Sequence, residues 1–167
     1  MSRPFVFEKK LLTPIKGRDM NAIRKNICGE QIGHGLYRDV YELKFDPRYV
    51  VKIEVDMSQA VFANATEWRN YINNKEWKWF EQWLAPCMLI SETGQWMIQR
   101  RVNWKNKTKK DYPKEIPSMF TDTKYDNFGW IGNRLVCCDY SYIPFTLPKT
   151  QTKRAKWWGD SANIKAT

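Results

Sequence analysis

Several short stretches in the first hundred residues follow the two-residue period of β-strands. The stretch EQIGHGLYRDVYELKF roughly alternates between apolar and polar positions on both sides of Gly33 and Gly35, and a turn signal at Asp46-Pro47 precedes the β-branched stretch YVVKIEV. These stretches predict three consecutive antiparallel strands. The stretches CMLIS and QWMIQ, which the turn residues Glu92-Thr93-Gly94 separate, predict two more.

A helical period occurs on either side of the first three strands. Asp19 is expected to cap a short helix, MNAIRKNIC, that ends at Gly29. Residues 58–84 have the spacing of a longer helix, with a break expected at Asn73-Asn74. The apolar residues predicted to share its buried face are Val61, Ala65, Trp68 and Ile72, which Phe80 and Leu84 extend beyond the break.

A β-hairpin is predicted in the last third of the chain. Gly132-Asn133 suits a two-residue turn that needs positive φ. Pairing outward from this turn sets Asn127 against Cys138. The hairpin is therefore expected to bring Asn127 next to Asp139, although the two residues are distant in sequence.

Length and composition limit the class of protein. A chain of 167 residues, of which 43% are hydrophobic, is long enough for one domain with a real core. It contains no apolar run of about 18 residues, so no membrane span is expected. Its N-terminal stretch lacks the apolar core of a signal peptide, which favours a cytoplasmic protein. The four cysteines lack C-x-x-C spacing, so reduced thiols are expected.

The net charge of +10 favours acidic partners, such as nucleotides, nucleic acid or an acidic protein. Two basic segments, 100–110 and 149–156, contain or adjoin tryptophans, a mixture that can bind single-stranded nucleic acid. The simpler interpretation is a solvated linker and a basic, mobile tail over residues 148–167. The residues concerned are Arg100, Arg101, Lys105, Lys107, Lys109 and Lys110 in the first segment, Lys149, Lys153, Arg154 and Lys156 in the second, and Trp104, Trp157 and Trp158 among them.

Two motifs in the second half are the most specific. Residues 122–127 have the form Asp-x-Lys-x-x-Asn, and Asp139-Tyr-Ser follows the predicted hairpin. Earlier in the chain, Gly33-His-Gly35 precedes Lys52 in Val-Val-Lys-Ile, and Glu67 lies on the predicted helix. This order resembles the protein-kinase family, whose catalytic loop and Asp-Phe-Gly segment the two later motifs match in form. Within that family the chain looks closest to the short kinase-like proteins of tailed bacteriophages.

The resemblance implies an α+β fold in a single kinase-like domain. Residues 1–99 are expected to form an N-lobe with a five-stranded antiparallel sheet and one main helix. Residues 100–147 are expected to form a minimal C-lobe with a catalytic-loop-like segment and the hairpin, and residues 148–167 lie outside the resemblance. The helices that receive a protein substrate in the family have no counterpart in this sequence.

The resemblance also implies ATP and Mg²⁺ as cofactors, together with a set of site residues. The expected nucleotide-binding residues are Gly33, Gly35, Val40, Val50, Lys52, Gln99 and Arg101. The expected catalytic residues are Asp122 as proton acceptor, Lys124 as the cation beside the transferred phosphoryl group, Lys52 as the phosphate ligand and Glu67 as its partner. The expected metal ligands are Asn127 and Asp139.

Several of these residues also have ordinary local interpretations. Asn64-Ala-Thr-Glu67 indicates a capping box, which would use the Glu67 carboxylate within its own helix. Lys52 alone is typical of any strand, and Asp122 and Asn127 are common turn residues. Arg38 stands where the family has the third glycine of its loop.

Departures from the family divide the expected function into alternatives. Phe120-Thr121 replaces the usual His-Arg, and Tyr140-Ser141 replaces Phe-Gly. One expectation is an ATP- and Mg²⁺-binding minimal phosphotransferase that acts on a Ser or Thr hydroxyl or on itself. Another is a pseudokinase that only binds nucleotide. The third is a catalytically inactive interaction protein, such as a phage factor in the host cytoplasm that binds a host protein or nucleic acid through its basic surface.

Overall fold

The computed structural model describes residues 20–55, 62–105, 107–143 and 151–159, which form an α+β fold with a five-stranded antiparallel sheet. The strand order is β1-β2-β3-β5-β4, and the predicted α+β class and five-stranded sheet are confirmed. The helices are α1 (Met20–Ile27), α2 (Ala63–Asn74) and the short α3 (Lys78–Glu81). The strands are β1 (Cys28–His34), β2 (Arg38–Leu43), β3 (Tyr49–Glu54), β4 (Cys87–Ile90), β5 (Trp96–Arg100), β6 (Glu115–Pro117), β7 (Phe128–Ile131), β8 (Arg134–Cys137) and β9 (Thr152–Arg154).

The sheet is covered on both faces, so its central strands contain almost no exposed position. Val51 and Ile53 of β3 pack in one cluster with Ile23 and Ile27 of α1. Lys52, between them in sequence, points to the opposite face because successive strand side chains alternate, and it contacts α2. The predicted α1 stops at Ile27, two residues before the expected Gly29, because Cys28 already pairs in β1. The expected cap, Asp19, lies outside the described residues.

Helix α2 buries a polar face, which corrects the prediction from its apolar spacing. Asn64, Glu67, Asn70 and Asn74 are buried, whereas Ala65, Trp68 and Ile72 are only partly buried. Val61 lies outside the described residues. The capping-box interpretation is also wrong: the N-cap residue is Phe62, which makes no side-chain cap, and the Glu67 carboxylate leaves the helix. Helix α2 is thus oriented by buried hydrogen bonds and ion pairs rather than by an apolar stripe.

The predicted hairpin β7–β8 forms with the expected register. Ile131 pairs with Arg134, and Cys138 donates its backbone N–H to the Asn127 carbonyl at 2.8 Å. Gly132 has φ 63° in the turn, a conformation that favours glycine. The hairpin is attached to the segment that follows α3 through the backbone of Cys137, which bonds to Trp83 and Ala85.

The C-terminal segment 151–159 belongs to the folded body, so the prediction of a mobile tail from residue 148 is wrong for these residues. Strand β9 pairs antiparallel with β6. Trp157 packs against Tyr112 and Phe128 of the second-half core, and its indole N–H donates to the Pro113 carbonyl at 2.8 Å. Lys149 lies outside the described residues.

Two further expectations concern cysteines and membrane spans. All four cysteines are free thiols, as predicted. None of the helices in the described ranges is both long enough and apolar enough to cross a bilayer.

Candidate functional site

A cavity of about 690 Å³ lies where the sheet faces the second half of the chain; we call it the main cavity. Most of the residues predicted from the sequence line it, although they come from six separate stretches of the chain. Those residues are Gly33, Gly35, Val40, Val50, Lys52, Gln99, Arg101, Lys124, Asn127 and Asp139. Glu67 lies behind the wall, fully buried, and Asp122 lines a neighbouring cavity.

Lys52 and Glu67 form a buried ion pair at the base of the main cavity. The Lys52 Nζ atom lies 2.7 Å from Glu67 Oε1 and also donates to the Cys138 carbonyl. Lys52 is 5% exposed and Glu67 is 0% exposed, so solvent cannot replace either partner. A buried charge is tolerated only when it is paired, so each of these residues requires the other.

Arg38 is a second buried cation in the same cluster, and the sequence interpretation gave it no role. Its NH2 group lies 2.9 Å from Glu67 Oε2 and 2.6 Å from Asp139 Oδ1, and its NH1 group donates to Asn64 at 3.4 Å. Arg38 is 8% exposed and contributes to the main cavity wall. We call Arg38, Lys52, Glu67 and Asp139 the ion cluster. The signal in the sequence that could have indicated this role is the presence of Arg38 where the kinase family has the third glycine of its loop.

Asp139 forms the rim of the ion cluster and remains accessible, with 48% of its side chain exposed. The protein around its carboxyl group disfavours the ionised form, but the charges of Arg38 and Lys52 and the hydroxyl of Ser141 outweigh this effect and lower its pKa. Asp139 is therefore ionised at neutral pH and holds Arg38 by charge as well as by geometry.

The glycine turn between β1 and β2 covers one side of the main cavity. Gly33 pairs with Val40, and a Cβ atom on Gly33 would lie 3.3 Å from the Val40 Cβ atom. The Gly35 N–H donates to the Arg38 carbonyl at 2.9 Å and closes the turn. At these two positions no side chain projects from the turn, so a bound anion can approach its backbone closely.

Two predicted nucleotide-binding residues use their side chains within the protein. Gln99 donates from Nε2 to Glu67 Oε1 at 2.7 Å, so it supports the ion cluster. Arg101 pairs with Glu42 at 2.5 Å. Both residues line the main cavity, and their positions at the end of β5 and just after it place backbone groups along its edge.

Asp122 and Asn127 meet at a second cavity of about 60 Å³, which we call the small cavity. The Asn127 Nδ2 group donates to Asp122 Oδ2 at 2.8 Å, and the Trp158 indole N–H donates to Asp122 Oδ1 at 3.1 Å. Asn127 and Asp139 line both cavities, so Asp122 faces the main cavity across these two residues. The contact with Trp158 was not expected from the sequence.

The backbone of the segment 122–127 is held by the C-terminal segment 151–159. Tyr125 donates its N–H to the Trp158 carbonyl at 3.1 Å, and Trp158 donates its own N–H to the Thr123 carbonyl at 3.3 Å. Lys124 lies between the paired residues Thr123 and Tyr125. Its Nζ atom lies 3.7 Å from Asp126 Oδ2, and the residue lines the main cavity. The C-terminal segment thus fixes the loop that carries the candidate catalytic residues.

The two predicted metal ligands, Asn127 and Asp139, already contact other side chains of the protein. Magnesium requires several oxygen ligands in octahedral geometry. Asp139 Oδ1 already contacts Arg38, and the Asn127 amide is oriented by Asp122. Among the described residues, no group of three or more His, Cys, Asp or Glu side chains is placed to hold a metal ion. These residues do not fit a resident magnesium ion, because a guanidinium already neutralises their one accessible carboxylate.

Aromatic residues within the basic segments are largely committed to the fold. The Trp104 indole N–H donates to the Phe128 carbonyl at 2.6 Å, and Trp157 is packed in the core. Lys107 lies over the Trp130 ring, 5.3 Å from its centroid. Trp158 is 54% exposed and is the most open of the three tryptophans named for nucleic-acid binding.

Comparison with known proteins does not assign this chain to a family. No protein-family model matches the sequence, and a search of curated proteins finds no match. The resemblance to protein kinases accordingly stays a prediction.

Proposed function

We propose that this chain is a kinase-like protein that binds ATP in the main cavity. The observation that carries the proposal is the Lys52–Glu67 pair, buried at 2.7 Å beneath a cavity that the glycine turn covers. A lysine held by a carboxylate beside a glycine turn is suited to a polyphosphate. The volume of about 690 Å³ is in the range of small-molecule sites.

The apolar and polar parts of the cavity suit the two ends of a nucleotide. Val40 and Val50 line one part and offer an apolar surface for a base. Lys52 and Lys124 line the same cavity and supply positive charge, which we assign to the phosphates. The resemblance to protein kinases, which rests on the sequence motifs, implies the same roles for these residues.

The proposed reaction is transfer of the γ-phosphoryl group to a Ser or Thr hydroxyl of a partner or of the chain itself. The hydroxyl oxygen forms a bond to the γ-phosphorus, the bond from that phosphorus to the β–γ bridging oxygen breaks, and ADP leaves. Asp122 receives the hydroxyl proton, and Lys124 stabilises the charge on the phosphoryl group. The small cavity beside Asp122 is the proposed place for the hydroxyl.

A nucleotide-binding protein without transfer is the second candidate, and one observation favours it. Both carboxylate oxygens of Asp122 already accept hydrogen bonds, from Asn127 and from Trp158. An acceptor hydroxyl must therefore displace or share one of these bonds before Asp122 can take its proton.

A thermal-shift titration with ATP tests the binding proposal. Saturation near a hundredfold excess over Kd stabilises a folded protein by about 2.7 kcal/mol. We expect this shift in the wild type and its loss in Lys52→Met, while the exposed-site control Lys75→Met keeps it. The absence of a shift in the wild type at millimolar ATP, with and without Mg²⁺, would refute the proposal.

Radiolabel transfer from γ-labelled ATP separates the two candidates. Asp122→Asn is expected to retain the ATP-induced thermal shift and to lose transfer. Binding without transfer in the wild type, with every acceptor tested including the chain itself, would favour the nucleotide-binding protein.

A further inference from the structure

The ion cluster carries an inference that deepens the proposed function and rests on it. Its four members form an alternating chain of contacts: Lys52 to Glu67 at 2.7 Å, Glu67 to Arg38 at 2.9 Å, and Arg38 to Asp139 at 2.6 Å. Two cations and two carboxylates balance within the cluster. Without Arg38, the same cluster would carry one excess negative charge, which an added cation would offset.

Arg38 is held in this position by more than its contact with Asp139. Its second carboxylate partner, Glu67, is completely buried, and Asn64 of α2 accepts a further hydrogen bond from NH1. Moving Arg38 away would leave the buried Glu67 with one cation fewer. A divalent ion at Asp139 would meet the guanidinium at close range, and like charges at that distance repel strongly in a partly buried site.

Arg38 also has the right chemistry to act on phosphate. It lines the main cavity beside the glycine turn, and a guanidinium offers several N–H donors in a fixed plane that matches phosphate oxygens. Lys52 and Lys124 line the same cavity. With Arg100, Arg101 and Lys105, the lining of the cavity includes six cationic residues, against the two carboxylates Asp126 and Asp139.

We propose that the main cavity binds a nucleoside triphosphate without a divalent cation held by the protein, with the Arg38 guanidinium in the place that such a cation would take at Asp139. Asp139 is then a positioning residue, which holds Arg38 toward the phosphates, rather than a metal ligand. This assignment distinguishes the protein from a nucleotide site in which magnesium bridges the carboxylate and the phosphates.

Isothermal titration of the full chain with ATP, in EDTA and in millimolar Mg²⁺, tests the assignment without any substitution. We expect the two Kd values of the wild type to agree within about threefold, which is less than about 0.7 kcal/mol. ATP binding that is tighter by about tenfold or more in Mg²⁺ would overturn the assignment and leave the proposed function standing. No binding in either buffer would overturn both.

Substitution of Arg38 provides the second arm. Arg38→Gln is expected to weaken ATP binding in EDTA by about tenfold or more and to recover most of the affinity in Mg²⁺, because the freed carboxylate then accepts the metal. The matched control is Arg48→Gln, which removes an arginine paired with Asp46 at 2.6 Å outside the main cavity. An Arg38→Gln variant that binds ATP in EDTA like the wild type would contradict the proposal.

Asp139→Asn gives a further readout if Arg38→Gln does not fold. Because an amide holds the guanidinium less firmly than a carboxylate does, we expect ATP binding in EDTA to weaken, and Mg²⁺ to change it little. A variant that binds ATP in EDTA like the wild type, and less tightly than the wild type only in Mg²⁺, would show that Asp139 acts as a metal ligand and would overturn the proposal.

Discussion

Glu67→Gln is the sharpest test of how the buried polar face of α2 stabilises the fold. Four donors point at the two carboxylate oxygens: Lys52 and the Gln99 amide at Oε1, and Arg38 and the Tyr140 backbone N–H at Oε2. A glutamine keeps the volume but has one oxygen. Whichever way its amide turns, an NH₂ group faces two donors, and the charge that neutralises two buried cations is lost.

The size of the effect follows from the burial of Glu67. Removing one partner of a buried ion pair costs about 3–5 kcal/mol, and Glu67 serves two cations. A flipped Gln99 amide offers the new side chain one acceptor, so we expect a loss of about 4 kcal/mol in the free energy of unfolding. That is a large share of the total for a domain, which is about 5–15 kcal/mol.

Urea unfolding followed by tryptophan fluorescence measures the loss directly. With a slope of about 2 kcal/mol per molar urea, the midpoint is expected to fall by about 2 M at an unchanged slope. The matched control Glu76→Gln, at an exposed position, is expected to change stability by less than about 0.5 kcal/mol. A loss below about 1 kcal/mol for Glu67→Gln would refute the reasoning, because it would mean that the two cations find adequate partners elsewhere.

Three other substitutions probe separate parts of the site. Trp158→Phe keeps a ring but removes the N–H bond to Asp122, so we expect a loss of only about 1 kcal/mol in the free energy of unfolding, and a loss of about 3 kcal/mol or more would contradict this. Gly129→Ala would place a Cβ atom 2.7 Å from the Val102 Cγ2 atom, and calorimetry is expected to show a loss of about 1–3 kcal/mol; an unchanged melting temperature would contradict this packing. Surrounding cations outweigh burial and lower the pKa of Asp139, so its ionised form contributes stability above about pH 4 that is lost as the pH falls through the lowered pKa. Asp139→Asn should therefore flatten the acid side of the curve of stability against pH. An acid side identical to that of the wild type would argue against the ion pair of Asp139 with Arg38.

The sheet and the hairpin were predictable because their signals are local. Alternation within each strand and the Gly132-Asn133 turn specify which residues pair, and the register that places Asn127 against Cys138 follows by counting outward from the turn. The positions of the candidate site residues that are carried by these elements, such as Lys52 on β3, could therefore be predicted from the sequence.

The orientation of α2 was not predictable from its apolar spacing. Apolar side chains at helical spacing normally identify the buried face. Here the burial of Lys52 and Arg38 on other elements requires acceptors opposite them, so the polar residues Asn64 and Glu67 turn inward and Trp68 is left partly exposed. That requirement arises only in the folded chain.

The C-terminal segment was missed for a related reason. Lys153, Arg154 and Lys156 have the composition of a solvated tail. Strand β9, which pairs with β6, has three residues and is too short to show an alternation of polar and apolar positions. Only Trp157, an aromatic residue that is costly to leave in water, indicated that this part of the chain is packed.

Because segment 151–159 holds the loop 122–127, the five-stranded sheet and this loop can become ordered at different times during synthesis. The five-stranded sheet lies within residues 28–100, so its pairing is possible while later residues are still being added. Asp122, by contrast, acquires its contact with Trp158 only after the segment that carries this tryptophan has left the ribosome. A nascent chain can therefore complete the sheet that borders the main cavity before the loop with Asp122 is fixed, and that loop becomes ordered last.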